Sequence, residues 1–115
     1  MLFLVLLDYR RPLAEVDAHL EAHRAFLERH YAAGHFLLSG RKTPRTGGVI
    51  LARASSPQTL WQWLAEDPFF QARLADYQLV AWEPAMVARD LSPASVAADA
   101  LVLGPAPVAD THPAS

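Results

Sequence analysis

The sequence predicts an α+β domain in which helices cover one face of a four-stranded antiparallel sheet. Two observations favour this fold class. Short apolar segments typical of strands alternate with longer segments of helical periodicity, and they follow the order βαββαβ. The chain has 115 residues, which is enough for one domain with one modest core.

The strand predictions rest on apolar patterning and on the residues that end each segment. Residues 2–9 are apolar at both alternating positions, which predicts a strand buried on both faces. Residues 35–41 and 48–54 are joined by a segment rich in proline and glycine, which predicts an antiparallel hairpin. Residues 77–83 form the last predicted strand, which ends at Pro84.

The helix predictions rest on periodicity and on capping residues. Residues 12–33 read as one helix, with Pro12 in its first turn and Gly34 directly after its end. A second helix follows a serine cap, Ser55 or Ser56, and breaks at the Asp67–Pro68 step. A short helix then begins with Asp67 as its N-cap, and Phe69, Phe70 and Leu74 are expected to point inward.

This order of elements is the ferredoxin-like split βαβ arrangement, in which one face of the sheet has no helices. The first, third and fourth predicted strands carry apolar residues on both faces. An open apolar sheet face is unfavourable in a monomer. We therefore expect a homodimer in which two sheets pack face to face about a two-fold axis.

Composition excludes several classes of protein. The net charge is −2 and there is no basic run, so nucleic acid is not expected as a partner. The absence of cysteine removes thiol nucleophiles and cysteine-bound metals. The apolar N-terminus is too short for a signal peptide or a membrane span, so we expect a cytoplasmic protein with no membrane partner.

Residues 1–85 form the predicted domain, and residues 86–115, rich in proline and alanine, form a partly disordered extension.

The first candidate for chemistry is His23 with Asp67. His23 lies on the shoulder of the apolar stripe of the first helix, where a polar ring needs a partner. A carboxylate beside an imidazole fixes its tautomer and makes it a workable general acid or base near neutral pH. Because His23 and Asp67 are far apart in the sequence, their spacing cannot show whether the two side chains touch. The simpler interpretation is a core histidine and a helix-capping aspartate.

Two further groups of residues are weaker candidates. His19 and His23 share a helix face and could hold a metal with a third ligand, but there is no HExxH motif, and His19 and His30 lie towards the polar side. We therefore predict no metal and no cofactor. Ser39, near a strand end, could hydrogen-bond a ligand, although no nucleophile-elbow motif surrounds it.

Together these residues resemble the YciI-like (YCII-related) family, within the dimeric α/β-barrel group. The resemblance extends from about Met1 to Pro84. It rests on the following segments: Asp8-Tyr9, His23, Phe26-Leu27, Gly34, Ser39-Gly40, Gly47-Gly48-Val49 and Asp67-Pro68-Phe69.

The resemblance implies a homodimeric barrel whose active site is built on a His–Asp pair, here His23 and Asp67. It places the family's serine at Ser39. Many relatives continue the Ser-Gly step with proline, whereas this chain has Arg41, which adds a positive charge near the site. At least one relative is similar to a dehydrochlorinase of chlorinated aromatic compounds, which implies lyase or hydrolase-like proton transfer.

The resulting hypothesis is a cofactor-independent enzyme acting on a small organic molecule. His23 and Asp67 are the expected catalytic pair, and Ser39 and Arg41 the expected substrate-binding residues. A different class of function, a non-catalytic ligand-binding or interaction module, would use the same fold and the same cavity. In that case the His–Asp hydrogen bond would be structural.

Overall fold

A computed structural model describes residues 1–91 and 102–106. The chain divides into two compact units, of which the first is Met1–Trp82 and the second begins at Glu83. The end of the extension is the part predicted to be disordered. Most of it, residues 107–115, lies outside the described residues.

Four antiparallel strands form the sheet of the first unit, as the sequence predicts. They are β1 (Leu2–Tyr9), β2 (Phe36–Arg41), β3 (Gly47–Arg53) and β4 (Ala75–Trp82). Their spatial order is β2-β3-β1-β4, so the apolar first strand is central. This order and the βαββαβ connectivity confirm the ferredoxin-like fold.

Four helices pack on one face of that sheet. They are α1 (Leu13–Ala18), α2 (Leu20–Ala32), α3 (Pro57–Leu64) and α4 (Pro68–Gln71). In the second unit, the short strands β5 (Met86–Val87) and β6 (Val102–Leu103) pair in parallel. No helix in the described part of the chain has both the length and the apolar character that a membrane crossing requires.

The prediction of one helix over residues 12–33 was wrong, because the helix is interrupted at His19. The backbone of His19 has φ −108° and ψ 4°, and its N–H donates to the carbonyl of Val16 rather than to that of Glu15. The His19 ring nitrogen Nδ1 lies 3.1 Å from the Glu15 carbonyl and takes over that acceptor. The ring thus replaces the helical hydrogen bond that the Glu15 carbonyl would otherwise lack, so the interruption leaves no unpaired carbonyl at that point.

The predicted caps are confirmed. Gly34 follows α2 with φ +80°, a conformation that glycine adopts without strain. Ser56 caps α3, since its hydroxyl accepts from the Thr59 N–H at 3.1 Å. Asp67 caps α4 by accepting from the Phe69 N–H at 2.9 Å. These local signals fix the ends of the helices that surround the site described below.

The core lies between the helices and the inner face of the sheet. The strand register places Phe3, Val5 and Leu7 of β1 on this inner face, where they are buried. Phe69 is buried with them, but Phe70 is 39% exposed, so the expectation that both rings point inward was wrong for Phe70. The remaining buried apolar side chains of this core include Val16, Phe26, Phe36, Ile50, Leu60, Leu64 and Leu74.

The outer face of the sheet is apolar and carries no helix of the first unit. Leu38 is 67% exposed there, and Val80 and Trp82 are 40% and 42% exposed. The register aligns Leu38 with Leu51, and Val80 with Leu4, so these side chains form one continuous surface. Within the first unit, the apolar sheet face without helices that the sequence predicts is therefore present.

Candidate active site

His23 and Asp67 meet between α2 and the start of α4. Nδ1 of His23 lies 2.8 Å from Oδ1 of Asp67, although 44 positions separate the two residues in the chain. The Asp67 side chain is fully buried, and the His23 side chain is 12% exposed. The carboxylate is thus shielded from water, whereas one edge of the imidazole stays accessible.

Asp67 accepts two further hydrogen bonds. Oδ1 also accepts from the Phe69 backbone N–H, and Oδ2 accepts from the Tyr77 hydroxyl at 2.5 Å. Burial, followed by the nearby Asp67 charge, raises the pKa of the Tyr77 hydroxyl well above its usual value. Tyr77 therefore stays protonated and remains a donor. Three donors satisfy the buried carboxylate and hold it in one orientation.

The imidazole of His23 is fixed in tautomer and in plane. Because Oδ1 of Asp67 is an acceptor, Nδ1 of His23 carries the proton, and the lone pair is on Nε2. The ring stacks on Phe69, with 3.9 Å between centroids and 2° between planes. Within the described residues no partner is recorded for Nε2. This nitrogen is therefore available to a ligand.

A cavity of about 170 Å³ opens beside His23, between α2 and the inner face of the sheet. Ser39 and Arg41, both predicted from the sequence, line it together with His23, and Phe69 forms part of its apolar wall. The other lining side chains are Leu7, Tyr9, Leu20, Arg24, Leu27, Arg45, Val49 and Ile50. The structure thus brings three of the four predicted site residues to one cavity, with Asp67 behind the imidazole.

Ser39 is held by a neighbour that the sequence did not indicate. Its hydroxyl lies 2.6 Å from the Tyr31 hydroxyl, and either oxygen could be the donor. The register pairs Ser39 with buried Ile50, which places Ser39 on the inner face of the sheet. Ser39 therefore lines the cavity with a hydroxyl that Tyr31 holds from outside the lining.

Sequence reasoning missed Tyr77, Arg24 and Arg45. Tyr77 is ten positions after Asp67, and only the register of β4 against β1, which pairs Tyr77 with Leu7, places its ring on the inner face. Arg24 follows His23 directly and Arg45 lies in the β2–β3 turn, yet both line the cavity. Arginines at such positions are ordinarily solvated, so no local pattern distinguishes them.

The histidines considered as metal ligands have separate partners. His19 bonds to the Glu15 carbonyl, while His23 bonds to Asp67. Among the described residues, no three histidine, aspartate or glutamate side chains are grouped as metal ligands would be. The sequence predicts an exposed His30. This prediction was wrong, because His30 is buried, with 5% of its surface exposed.

His30 belongs to a second polar cluster under α3. Its Nδ1 lies 2.9 Å from Nδ1 of His35, and its Nε2 lies 3.1 Å from Oε1 of Glu66. His35 stacks on Trp63 with 3.6 Å between centroids. Burial, followed by electrostatic repulsion between the two imidazoles of His30 and His35, lowers the pKa of His35, and nearby Arg53 adds to this effect while Glu66 opposes it.

This cluster predicts that acid destabilises the fold through His35. Because the pKa of His35 is lowered in the folded chain, the unfolded chain binds more protons as the pH falls below about 6.5. His35→Phe keeps a ring on Trp63 and cannot be protonated. We therefore expect urea unfolding at pH 7.5 and pH 5.5 to show a smaller loss of stability for His35→Phe than for the wild-type chain. His19→Gln, the control, should retain the wild-type pH dependence, and an equal loss in His35→Phe would contradict the prediction.

The fold and the site together define a class: a ferredoxin-like α+β domain in which a buried carboxylate holds an imidazole at the edge of a small cavity. The family model of the YCII-related domain matches residues 1–83. The chain belongs to the YCII-related domain family.

One solved structure with the same fold is the 5-chloro-2-hydroxyhydroquinone dehydrochlorinase of Burkholderia phenoliruptrix, in complex with 2,5-dihydroxybenzoquinone. The two chains superpose with a TM-score of 0.64 and 24% sequence identity, covering 73% of this chain and 95% of the dehydrochlorinase. No curated protein matches the chain by sequence. At this identity the likeness establishes the fold.

Proposed function

We propose that this protein is a small-molecule enzyme that uses His23 as a general acid and base and needs no cofactor. The observation that carries the proposal is the 2.8 Å contact between Nδ1 of His23 and the fully buried carboxylate of Asp67, beside an open cavity. A positioned acid–base group of this kind typically contributes about 10² to 10⁴ in rate.

The geometry assigns a separate task to each side of the ring. Nε2 takes a proton from a substrate in the cavity, and the imidazole becomes a cation. Asp67 stabilises that cation from the opposite side of the ring, where water does not screen the interaction. Phe69 restrains the plane of the imidazole by stacking, so that the lone pair stays directed towards the substrate.

The reaction class supported best is a lyase or hydrolase-like proton transfer, of which dehydrochlorination is the specific form we propose. In that reaction Nε2 takes a proton from one ring hydroxyl and returns it to the carbon that carries chlorine, so that the ring becomes a ketone. A second hydroxyl then loses its proton, its electrons form a new carbonyl, and chloride leaves with the electrons of the carbon–chlorine bond. A proton and a chloride ion are the only losses, so the step requires no oxidant or metal. The similar fold of the dehydrochlorinase supports this choice.

Ser39 and Arg41 are the proposed substrate-binding residues. The Ser39 hydroxyl, fixed by Tyr31, can hydrogen-bond a substrate oxygen, and the Arg41 guanidinium can donate hydrogen bonds to a negatively charged one. Both line the cavity that contains His23.

The test is a panel of chlorinated and unchlorinated hydroxyhydroquinones, with chloride release and ring absorbance as readouts. We expect chloride release by the wild-type protein from a chlorinated member, and release at least about 100-fold slower from His23→Gln. Equal chloride release by both proteins, or no turnover of any chlorinated member, would overturn the proposed reaction.

A non-catalytic binding module remains the second candidate, and one observation favours it. Asp67 caps α4 in addition to contacting His23, so a purely structural role also accounts for its burial. That alternative is expected to show ligand binding by the wild-type protein without turnover. A cytoplasmic location remains a prediction from the sequence.

We also propose that the protein is a homodimer that joins the outer faces of two sheets. The exposed apolar surface around Leu38, Val80 and Trp82 supports this, because such a surface is unfavourable in water. A two-fold axis would place equivalent surfaces against each other.

The dimer is tested by light scattering after size exclusion. We expect twice the chain mass of 12.7 kDa for the wild-type protein. Leu38→Glu should weaken association at least about 100-fold, because the two-fold axis brings two new charges into one interface. Gln62→Glu adds the same charge on α3 and should leave the dimer intact. A monomeric wild-type protein, or an unchanged dimer in Leu38→Glu, would contradict this proposal.

A further inference from the structure

The cavity is lined by positive charge, although the chain as a whole has a net charge of −2. Arg24, Arg41 and Arg45 all contribute to the wall, and they come from α2, the end of β2 and the β2–β3 turn. None of the lining residues is an aspartate or a glutamate. The sign of the charge at the cavity is therefore opposite to that of the chain.

The three arginines differ in how their charge is balanced. Arg45 forms an ion pair with Asp17 at 2.5 Å and lies over the Tyr9 ring at 6.0 Å. For Arg24 and Arg41, by contrast, no salt bridge and no hydrogen bond is recorded within the described residues. Asp17 pairs directly with Arg45 and interacts with Arg41 only through its charge, without a hydrogen bond. Two guanidinium groups at the cavity thus remain available to a ligand.

The size of the cavity limits what that ligand can be. A cavity of about 150 Å³ accommodates a benzene ring, and this one measures about 170 Å³. Its walls combine apolar side chains, such as Leu20, Leu27 and Ile50, with the polar side chains named above. A single ring with an ionised oxygen substituent matches both the volume and the chemistry.

We infer that the cavity selects an anionic single-ring substrate whose charged oxygen lies between Arg24 and Arg41. This inference rests on the proposed function, since it supplies the substrate class for the His23 site. The anionic group then orients the ring against the wall and brings it within reach of Nε2. Proton removal by the neutral imidazole adds negative charge to the substrate, and the same two guanidinium groups stabilise that charge.

The experiment uses benzoate as the anionic probe and benzamide as its neutral counterpart. Binding is measured by titration calorimetry at pH 7.5, and the position of the probe by NMR shifts of the His23 ring. We expect the wild-type protein to bind benzoate at least about tenfold more tightly than benzamide. Arg24→Gln and Arg41→Gln should each reduce benzoate affinity about tenfold and leave benzamide affinity unchanged.

The control is Arg29→Gln, which removes the same charge from α2 at a position outside the cavity lining. It should bind both probes as the wild-type protein does. Equal affinity for benzoate and benzamide, or an equal loss of benzoate affinity in Arg29→Gln, would overturn the inference.

Binding and turnover separate this inference from the proposed reaction. His23→Gln should lower turnover at least about 100-fold and retain the preference for benzoate, because it leaves both arginines in place. If the wild-type protein prefers benzoate but turns over no chlorinated substrate, the reaction is wrong and the anion preference stands. If turnover depends on His23 but the two probes bind equally, the reaction stands and the anion preference is wrong.

Discussion

His23→Gln is expected to lower kcat/KM by about 10² to 10⁴ while the domain remains folded. Glutamine has no group that can accept and return a proton near neutral pH, so the acid–base function is lost. Its side-chain amide can still donate to Oδ1 of Asp67, which limits the cost of leaving that buried carboxylate short of a donor. The measurement is steady-state turnover, with circular dichroism as the test of folding.

Asp67→Asn should have a smaller effect, about tenfold on kcat, because it removes charge and preserves shape. The Phe69 N–H requires an acceptor at Oδ1, so the amide oxygen takes that position and the tautomer of His23 is maintained. What is lost is the negative charge that stabilises the imidazolium, and a charged hydrogen bond is roughly twice as strong as a neutral one. The pair of variants therefore separates proton transfer from charge stabilisation.

His19→Gln is the matched control, since it changes another histidine of the same segment, one that contacts Glu15 rather than Asp67. It should retain wild-type turnover. If His23→Gln retains wild-type turnover as well, the role assigned to the imidazole is wrong. If His23→Gln and His19→Gln lose activity to the same extent, the loss reports damage to α2 rather than chemistry.

Gly47→Ala is expected to cause the largest loss of stability, at least about 3 kcal/mol, or a fall in Tm of at least about 12 °C. A Cβ at this position would lie 1.7 Å from the carbonyl oxygen of Leu7 and 2.8 Å from its carbonyl carbon. Both atoms belong to the backbone of β1, so the clash cannot be relieved by a side-chain rotation. The measurement is thermal unfolding followed by circular dichroism.

Gly40→Ala is the control for that experiment, because no atom apart from those of Gly40 and its two chain neighbours lies within 4 Å of the added Cβ. Gly40 is also in a strand of the same hairpin, and its change to alanine should shift stability by no more than about 0.5 kcal/mol. Similar Tm values for the two variants would mean that β1 and β3 do not approach as closely at Gly47 as described.

Much of the fold could be predicted because its signals are local. Gly34, Ser56 and Asp67 mark helix ends through interactions within a few residues, and each lies where its pattern indicates. The interruption at His19 could not be predicted, because the apolar periodicity continues through it. It depends on a ring nitrogen reaching the Glu15 carbonyl, which residue type alone does not show.

The candidate site was less accessible to sequence reasoning, since it depends on contacts between distant segments. His23 stood out as a polar ring beside an apolar stripe, and Asp67 as a cap before proline. Their contact, however, spans 44 positions. Tyr77 and Arg45 carried no local signal at all. Tyr77 joins the site through strand register, and Arg45 through the packing of the hairpin turn.

A single oxygen, Oδ1 of Asp67, serves both the start of α4 and the orientation of His23. Serine or threonine at this position would preserve the start of the helix but leave the imidazole without its anion. Glutamate would preserve the anion but displace it by one methylene. Aspartate is therefore difficult to replace at this position without losing one of the two functions. In proteins of this fold that lack the chemistry, position 67 should carry other helix-capping residues.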